Sequence, residues 1–302
     1  MRLDFNFYRR MAWLGRALTR PQSRVIGRII VPWLGRKRLR HLRDAAQRNI
    51  EVALAACPDC SPRGTPERLA RRLFSNFGAS IADYFLLPTV TRRSIHRWVT
   101  AQEGTEYLDA ALARGRGVLL MTGHLGLWEL GGVYLRYGGY DINIVGLVDK
   151  VHEGITEFRD WMRTRQGIGV VNRDGVRLAA LTIRSLLAEN KVVALLGDRL
   201  VGEKGVEVEF LGKRVDFPVG PLRMACATGA TVLPCFVLRE GRGYRATIEP
   251  PIEPGPADKS SPDDLQPAVQ ELARRFERQI CRHLDQWYVF FPFWEPARGF
   301  EL

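Results

Sequence analysis

The sequence predicts an α/β fold with a mixed central sheet flanked by helices and with a basic amphipathic helical extension at the N-terminal end. From about residue 98 onward, short apolar runs alternate with segments of helical periodicity. This alternation is typical of strands and helices packed in layers. Before that point the apolar residues recur only at helical spacing. The chain is therefore divided into a membrane-associating region over residues 1–60 and an α/β domain over residues 61–302.

Residues 5–34 have the pattern of a helix that lies in a membrane interface. After Pro21, which suits a first helical position, five apolar residues form one stripe and three arginines at steps of four form another face. These residues are Val25, Ile26, Ile29, Ile30 and Trp33 on the apolar side, and Arg20, Arg24 and Arg28 on the basic side. An apolar face that contains Trp, opposite an Arg-rich face, favours membrane contact. A solvated basic helix packed on the body of the protein is the alternative.

The net charge of +12 is concentrated in this N-terminal region. Residues 1–48 contain thirteen Lys or Arg against two Asp, so the rest of the chain is close to neutral. An anionic membrane surface is the expected partner, and without a recognition-module pattern no nucleic acid is expected. The sequence has no run of 18 or more apolar residues and no secretory signal. A peripheral or monotopic protein on the cytoplasmic face of the membrane is therefore expected.

Two more helices are predicted before the sheet, over residues 36–56 and 66–87, the second with Thr65 as its N-cap and Pro66 at its first position. Between them, Cys57 and Cys60 have zinc-ligand spacing, but no second pair completes four ligands. No metal site is expected there. The five cysteines are an odd number in a long chain, which gives no indication of a disulfide framework.

In the α/β part, strands are predicted near residues 98–101, 117–122, 142–147, 170–171, 191–197 and 206–212. An antiparallel pair is predicted over residues 231–238 and 244–248. Helices are predicted near 104–114, after Gly126, near 152–166, near 175–189, up to Gly229 and over 265–280. The aromatic tail over residues 287–294 suits either core packing or membrane contact, and core packing is favoured.

The segment after the strand at 117–122 has the composition of a catalytic turn. His124 and Glu129 stand five residues apart, and Gly123 and Gly126 permit a tight, backbone-exposed connection. A histidine with a carboxylate partner serves as a general base or as a metal ligand, and a polar residue at a strand end is the third possibility. No HExxH pattern and no G-x-S-x-G turn occur. A base that activates the hydroxyl of a second substrate, without metal or cofactor, is the reading that remains.

A second charged pair, Asp198 and Arg199, directly follows the apolar strand at 191–197. Charges are costly to bury, and strand ends in α/β sheets open into clefts. Asp198 and Arg199 are therefore predicted at the mouth of a cleft.

The sequence around His124 resembles the bacterial lipid A biosynthesis acyltransferases. The segment G-H-L-G-L-W-E-L-G-G contains the HX4(D/E) motif of glycerolipid acyltransferases, and the similarity runs over roughly residues 30–290. It continues in Trp161 to Arg165, in Asp198, in G-V-E-V-E-F-L-G-K, in P-V-G-P and in Gln286-Trp287-Tyr288.

The resemblance implies transfer of an acyl chain from a thioester to a glycolipid hydroxyl. His124 would be the general base and Glu129 its partner. Backbone N–H groups near Gly126 would hold the oxyanion, and Trp128, Arg165, Asp198 and Arg199 would contact substrate. The donor would be acyl carrier protein or acyl-CoA.

A lipid A precursor-like glycolipid is the first expectation for the acceptor. The alternative acceptors are a phosphatidylinositol mannoside or another lysolipid. The alternative function is lipid binding by the same fold without catalysis. The expected location is the cytoplasmic face of the bacterial inner membrane.

Overall fold

The computed structural model describes residues 4–37, 40–57, 59, 62–146, 153–172, 176–200, 205–255 and 261–295. They form a mixed seven-stranded sheet flanked by helices, which confirms the predicted fold class. Among these residues, no helix combines the length and the apolar character needed to cross a bilayer.

The large sheet has the strand order β1-β9-β8-β2-β5-β3-β4. Its strands are β1 (Val99–Glu103), β2 (Val118–Thr122), β3 (Ile142–Gly146), β4 (Gly169–Asn172), β5 (Val192–Leu196), β8 (Thr231–Glu240) and β9 (Gly243–Ile248). Neighbouring strands are parallel except β8 and β9, which form the predicted antiparallel pair. A separate hairpin joins β6 (Val206–Phe210) to β7 (Lys213–Phe217). The sheet thus places β2 at its centre, between β8 and β5.

The helices agree with the predicted segments to within a few residues, except near the N-terminus. They are α1 (Phe5–Gly15), α2 (Arg20–Lys37), α3 (Arg40–Ala56), α4 (Pro66–Leu86), α5 (Thr105–Ala113), α6 (Trp128–Tyr137), α7 (Glu153–Arg165), α8 (Val176–Ala188), α9 (Gly220–Thr228) and α10 (Pro262–Arg282). Residues 5–34 fall into two helices rather than one. Thr65 accepts a hydrogen bond from the backbone N–H of Arg68, so the predicted N-cap of α4 is confirmed.

Helix α2 packs on α4 through its small residues and exposes its apolar stripe. Gly27 and Gly78 touch backbone to backbone, and a Cβ at either position would collide with the carbonyl oxygen of the other. Ser23 is buried in the same interface, whereas Ile29 and Trp33 are 65% and 55% exposed. The outward face of α2 is therefore its apolar one.

The arginines of α2 are split between the interior and the surface. Asp83 of α4 is fully buried, and it accepts hydrogen bonds from Arg20 Nε at 3.1 Å, from Arg24 Nη2 at 2.6 Å and from the Tyr244 hydroxyl at 2.6 Å. Burial lowers the pKa of Arg24, but Asp83 and Tyr244 together raise it by more, so the pKa ends above its ordinary value. The prediction that Arg20 and Arg24 form an exposed basic face is therefore wrong, because a buried carboxylate claims both guanidinium groups.

The aromatic tail packs in the core, as favoured by the sequence. Trp287, Tyr288 and Val289 are buried, and Asn49 of α3 donates a hydrogen bond to the carbonyl of Phe291. Helix α3 also contributes Ile50 to the hydrophobic core that contains the sheet strands. The division of the chain at residue 60 stays a prediction, but α3 shares its core with the α/β part.

A disulfide joins Cys57, after α3, to Cys281 near the end of α10. The cysteine count gave no reason to expect it, because the two residues are far apart in sequence and meet only when α3 and α10 pack on the same side of the sheet. Cys60, the other half of the predicted zinc-like spacing, lies outside the described residues.

Candidate active site

His124 lies in the connection between β2 and α6, at the C-terminal end of the central strand. Gly123 permits this turn because a Cβ there would come within 3.0 Å of the Asp198 carboxylate. Gly126 has a φ of +69°, and a Cβ there would collide with the carbonyl oxygen of Val237. Each glycine thus lets the backbone approach a group that a larger residue would displace.

Asp198, at the end of β5, holds His124 by two hydrogen bonds. Its Oδ1 lies 2.8 Å from His124 Nδ1, and its Oδ2 accepts the backbone N–H of His124 at 2.7 Å. Strands β2 and β5 are parallel neighbours, so their C-terminal ends bring the two residues together. Because an ionised carboxylate only accepts hydrogen bonds, this contact favours the neutral tautomer of His124 with its proton on Nδ1, which leaves the lone pair of Nε2 for a substrate.

Glu129 has a different partner from the one that the sequence predicts. Arg163 of α7 donates to both carboxylate oxygens of Glu129, from Nη2 at 2.5 Å and from Nε at 3.1 Å. Both side chains are 4% exposed, so this is a buried, two-pronged ion pair. The prediction that Glu129 orients the imidazole is therefore wrong. Asp198 is the carboxylate that holds the ring. Residue 129 lies within the first turn of α6.

Arg165 does not reach the site. It is exposed, and its guanidinium lies 5.8 Å from the ring of Trp161. Two earlier arginines of α7, Arg159 and Arg163, lie on the cavity wall. The sequence offers several arginines on α7 and has no signal that selects Arg163, because the choice depends on where the end of α7 meets α6. Arg165 is not among the residues that line the cavity, and its contact with substrate stays a prediction.

His124 and Glu129 line the same cavity of about 830 Å³, which has a mainly apolar wall. Its volume is in the range of small-molecule sites. Helix α1 contributes Phe7, Tyr8 and Met11 to one side of the cavity, and α8 contributes Ala179, Ala180 and Ile183.

The predicted residues Trp128 and Arg199 also lie on this wall. The Trp128 ring packs edge-on against the His124 ring, with centroids 5.5 Å apart. The Arg199 guanidinium stacks over Phe291 at 4.4 Å, and burial lowers its pKa.

The backbone N–H groups near Gly126 are already used. The N–H of Gly126 donates to the Gln286 carbonyl at 3.0 Å, and that of Leu127 donates to the Val237 carbonyl at 2.9 Å. The expected oxyanion donor at Gly126 is therefore wrong. Trp128 and Glu129 are the first two residues of α6. Their N–H groups point along the helix axis and have no intrahelical acceptor.

Residues 286–288 form backbone hydrogen bonds with the His124 turn. The local patterns of the sequence do not predict this contact. The N–H of Tyr288 donates to the His124 carbonyl at 2.8 Å, next to the bond between Gly126 and Gln286. The side chain of Gln286 in turn bonds both backbone groups of Arg239 on β8. Only the resemblance over Gln286-Trp287-Tyr288 pointed to this segment.

The fold, the site and the comparisons together define an acyltransferase, an enzyme that acts on an acyl donor and a lipid acceptor. The model of the bacterial lipid A biosynthesis acyltransferase family matches residues 5–295, so the chain belongs to this family. The chain is also similar to the phosphatidylinositol mannoside acyltransferase of Mycobacterium tuberculosis H37Rv, with 29% identity over 83% of this chain and 78% of that protein. The protein of the same name from Mycolicibacterium smegmatis is 25% identical over 83% of this chain and 81% of its own length.

Proposed function

We propose that the protein moves a fatty acyl chain from a thioester donor to a hydroxyl group of a glycolipid. The observation that carries this proposal is His124, which is held by Asp198 through Nδ1 and lies on the wall of a large apolar cavity. A base in an apolar cavity suits a substrate that brings both a hydroxyl and an acyl chain.

In the proposed reaction, His124 Nε2 takes the proton from the acceptor hydroxyl as its oxygen attacks the thioester carbonyl. Asp198 stabilises the imidazolium that forms, because its carboxylate lies on Nδ1. The tetrahedral intermediate then collapses. The C–S bond breaks, and the sulfur takes the proton from Nε2. The products are an ester and a free thiol.

The oxyanion of this intermediate is assigned to the start of α6. With the N–H of Gly126 engaged by Gln286, the donors at this end of the helix are the N–H groups of Trp128 and Glu129. Such groups stabilise developing negative charge.

Glu129, in the first turn of α6, and Arg163 of α7 form a buried ion pair whose opposite charges compensate each other. In the proposal they fix the first turn of α6, and the proton relay consists of His124 and Asp198.

The proposed donor is acyl carrier protein or acyl-CoA. For the acceptor, a mannosylated phosphatidylinositol is the first candidate, because curated relatives that cover most of the chain carry that name. A lipid A precursor is the second, since the family is described by that pathway. Both acceptors are anionic glycolipids, which fits the basic N-terminal region.

An acyl-transfer assay tests the proposal. The purified protein, incubated with radiolabelled acyl-CoA or acyl carrier protein and with either acceptor in mixed micelles, is expected to form one labelled ester per thiol released. Mass spectrometry of the product identifies the acylated sugar. Release of free fatty acid at the same rate with and without acceptor would show a thioesterase and contradict the proposal.

The proposal also places the protein peripherally on the cytoplasmic face of the inner membrane. Within the described ranges, all exposed large apolar side chains lie between residues 7 and 33 or on α8. Those on α8 are Leu178 and Leu181, 70% and 63% exposed. Helices α1 and α8 both line the His124 cavity, so the apolar surface borders the cavity on two sides. A bilayer against this surface would deliver lipid directly to the cavity.

Membrane contact is tested by point variants, because α2 is tied to the core by Asp83 and its deletion would disturb the fold. The variant Ile29→Gln/Trp33→Gln is expected to bind anionic vesicles about tenfold more weakly or worse, since burying each such side chain contributes about 1.5–3 kcal/mol. Leu178→Gln/Leu181→Gln is expected to act in the same direction. Vesicle co-sedimentation measures the effect, and an unchanged melting temperature with unchanged transfer to micellar acceptor is the control. If both variants bind vesicles like the wild type, α2 and α8 do not contact the membrane.

A further inference from the structure

A second cleft, of about 540 Å³, lies behind one wall of the His124 cavity and is strongly basic. It is formed by α2, α4, the turn between β8 and β9, and the end of α10. Four arginines and a histidine line it: Arg28, Arg72, Arg239, Arg282 and His283. The acyl-transfer steps described above use none of them.

The carboxylate in this cleft does not neutralise the arginines. Asp285 is buried, and its Oδ2 is already engaged by Arg72 Nε at 2.6 Å and by Asn76 Nδ2 at 2.7 Å. One carboxylate therefore faces four guanidinium groups. Burial lowers the pKa of Arg28, and the nearby charges of Arg239, Arg24 and Arg72 lower it further. The protein thus keeps like charges close together at a cost in free energy.

Arg239 has buried donor groups without an acceptor. Its Nη2 donates to the Asn76 carbonyl and to the Ser80 hydroxyl, both at 2.7 Å. Its Nε and Nη1 are buried and have no hydrogen-bond partner in the described part of the chain. Buried unpaired donors on a charged group are unfavourable, and this guanidinium adds positive charge at the wall of the cleft that no carboxylate compensates.

We propose that this cleft binds a phosphate group of a substrate or of a membrane lipid. A phosphate offers several anionic oxygens, and guanidinium groups bind such oxygens through paired hydrogen bonds. A single carboxylate would leave most of the four arginines unpaired. The cleft is open to solvent on the side of Arg28 and Arg282, which are exposed, so a ligand can enter there.

The position of the cleft connects the phosphate to the reaction. Ser80, which accepts a hydrogen bond from Arg239, is also on the wall of the His124 cavity, and so is Tyr288, which bonds Ser80 at 3.0 Å. The two sites are therefore separated by these side chains. The source of the phosphate rests on the proposed function, in which the thioester donor and the lipid acceptor each carry a phosphate group. The existence of the phosphate site does not depend on that function.

The test uses two double variants with the same loss of charge. Arg28→Gln/Arg282→Gln removes two exposed arginines of the cleft. Arg71→Gln/Arg274→Gln removes two exposed arginines of α4 and α10 outside it. Isothermal titration with inorganic pyrophosphate is expected to show binding to the wild type, about tenfold weaker binding to the cleft variant, and unchanged binding to the control variant. Equal affinities in all three proteins, or equal loss in both variants, would overturn the proposal.

Two further arms identify the source of the phosphate. Titration with CoA measures the donor side, and co-sedimentation with phosphatidylinositol in phosphatidylcholine vesicles measures the lipid side. A loss by the cleft variant in one arm assigns the phosphate to that ligand, while wild-type binding in both arms overturns the link to the reaction. His124→Ala is expected to bind pyrophosphate like the wild type. Failure of acyl transfer with intact pyrophosphate binding therefore counts against the proposed function alone.

Discussion

Replacing His124 by alanine is expected to lower kcat for acyl transfer by about 10² to 10⁴-fold, the usual contribution of a positioned general base. Removing the imidazole takes away the group that accepts the hydroxyl proton, whereas the backbone hydrogen bond from residue 124 to Asp198 can remain. The measurement is the steady-state rate of labelled ester formation at saturating donor and acceptor.

The companion variant is Asp198→Asn, which keeps the size of the side chain but removes its charge. It is expected to lower kcat less than His124→Ala does, because the base is still present but its imidazolium is no longer stabilised. Circular dichroism and the melting temperature control for folding. If His124→Ala is folded and transfers acyl chains at the wild-type rate, His124 is not the base.

Replacing Arg163 by alanine is expected to lower the free energy of unfolding by about 3–5 kcal/mol, the usual effect of removing one partner of a buried ion pair. Glu129 would be left as an unpaired charge, since both its oxygens are held by Arg163. Burial lowers the pKa of Arg163, but Glu129, Tyr84 and Asp160 together raise it above its ordinary value, so the guanidinium stays charged in the folded state. Urea denaturation measures the loss.

Arg165→Ala is the matched control for this experiment, since it removes the same side chain from an exposed position two residues away. It is expected to change the free energy of unfolding by about 0.5 kcal/mol or less. The double variant Glu129→Ala/Arg163→Ala is expected to lose less than the two single losses combined, because neither charge is left without its partner. Strictly additive losses would mean that the two side chains do not stabilise each other.

Local patterns were sufficient to predict nearly all helices and strands of this protein. Strand β2 is a continuous apolar run after a glycine, and the N-cap and first residue of α4 are Thr65 and Pro66. The same local patterns also placed His124 in the turn after β2 and Asp198 at the end of β5. Each of these features depends on residues that are close in sequence.

The contacts between these elements could not be predicted in the same way. The pairing of His124 with Asp198 depends on β2 and β5 being neighbours, which is a property of strand order. Spacing along the chain favoured Glu129, whose carboxylate is instead bound by α7. The outward apolar face of α2 depends on the fit of Gly27 against Gly78, and the basic cleft collects residues from four distant segments. These features follow from long-range packing, which the apolar periodicity of a single segment does not specify.

The hydrogen bonds from residues 286–288 to the His124 turn have a consequence for the order of events during synthesis. The β2 strand and His124 leave the ribosome long before Gln286 and Tyr288 are made, so for most of translation the turn lacks the backbone partners that shape it. A nascent or prematurely terminated chain would hold all of His124, Glu129 and Asp198 and still have an incomplete turn. The enzyme would gain its reactive geometry only when residues 286–288 have been added.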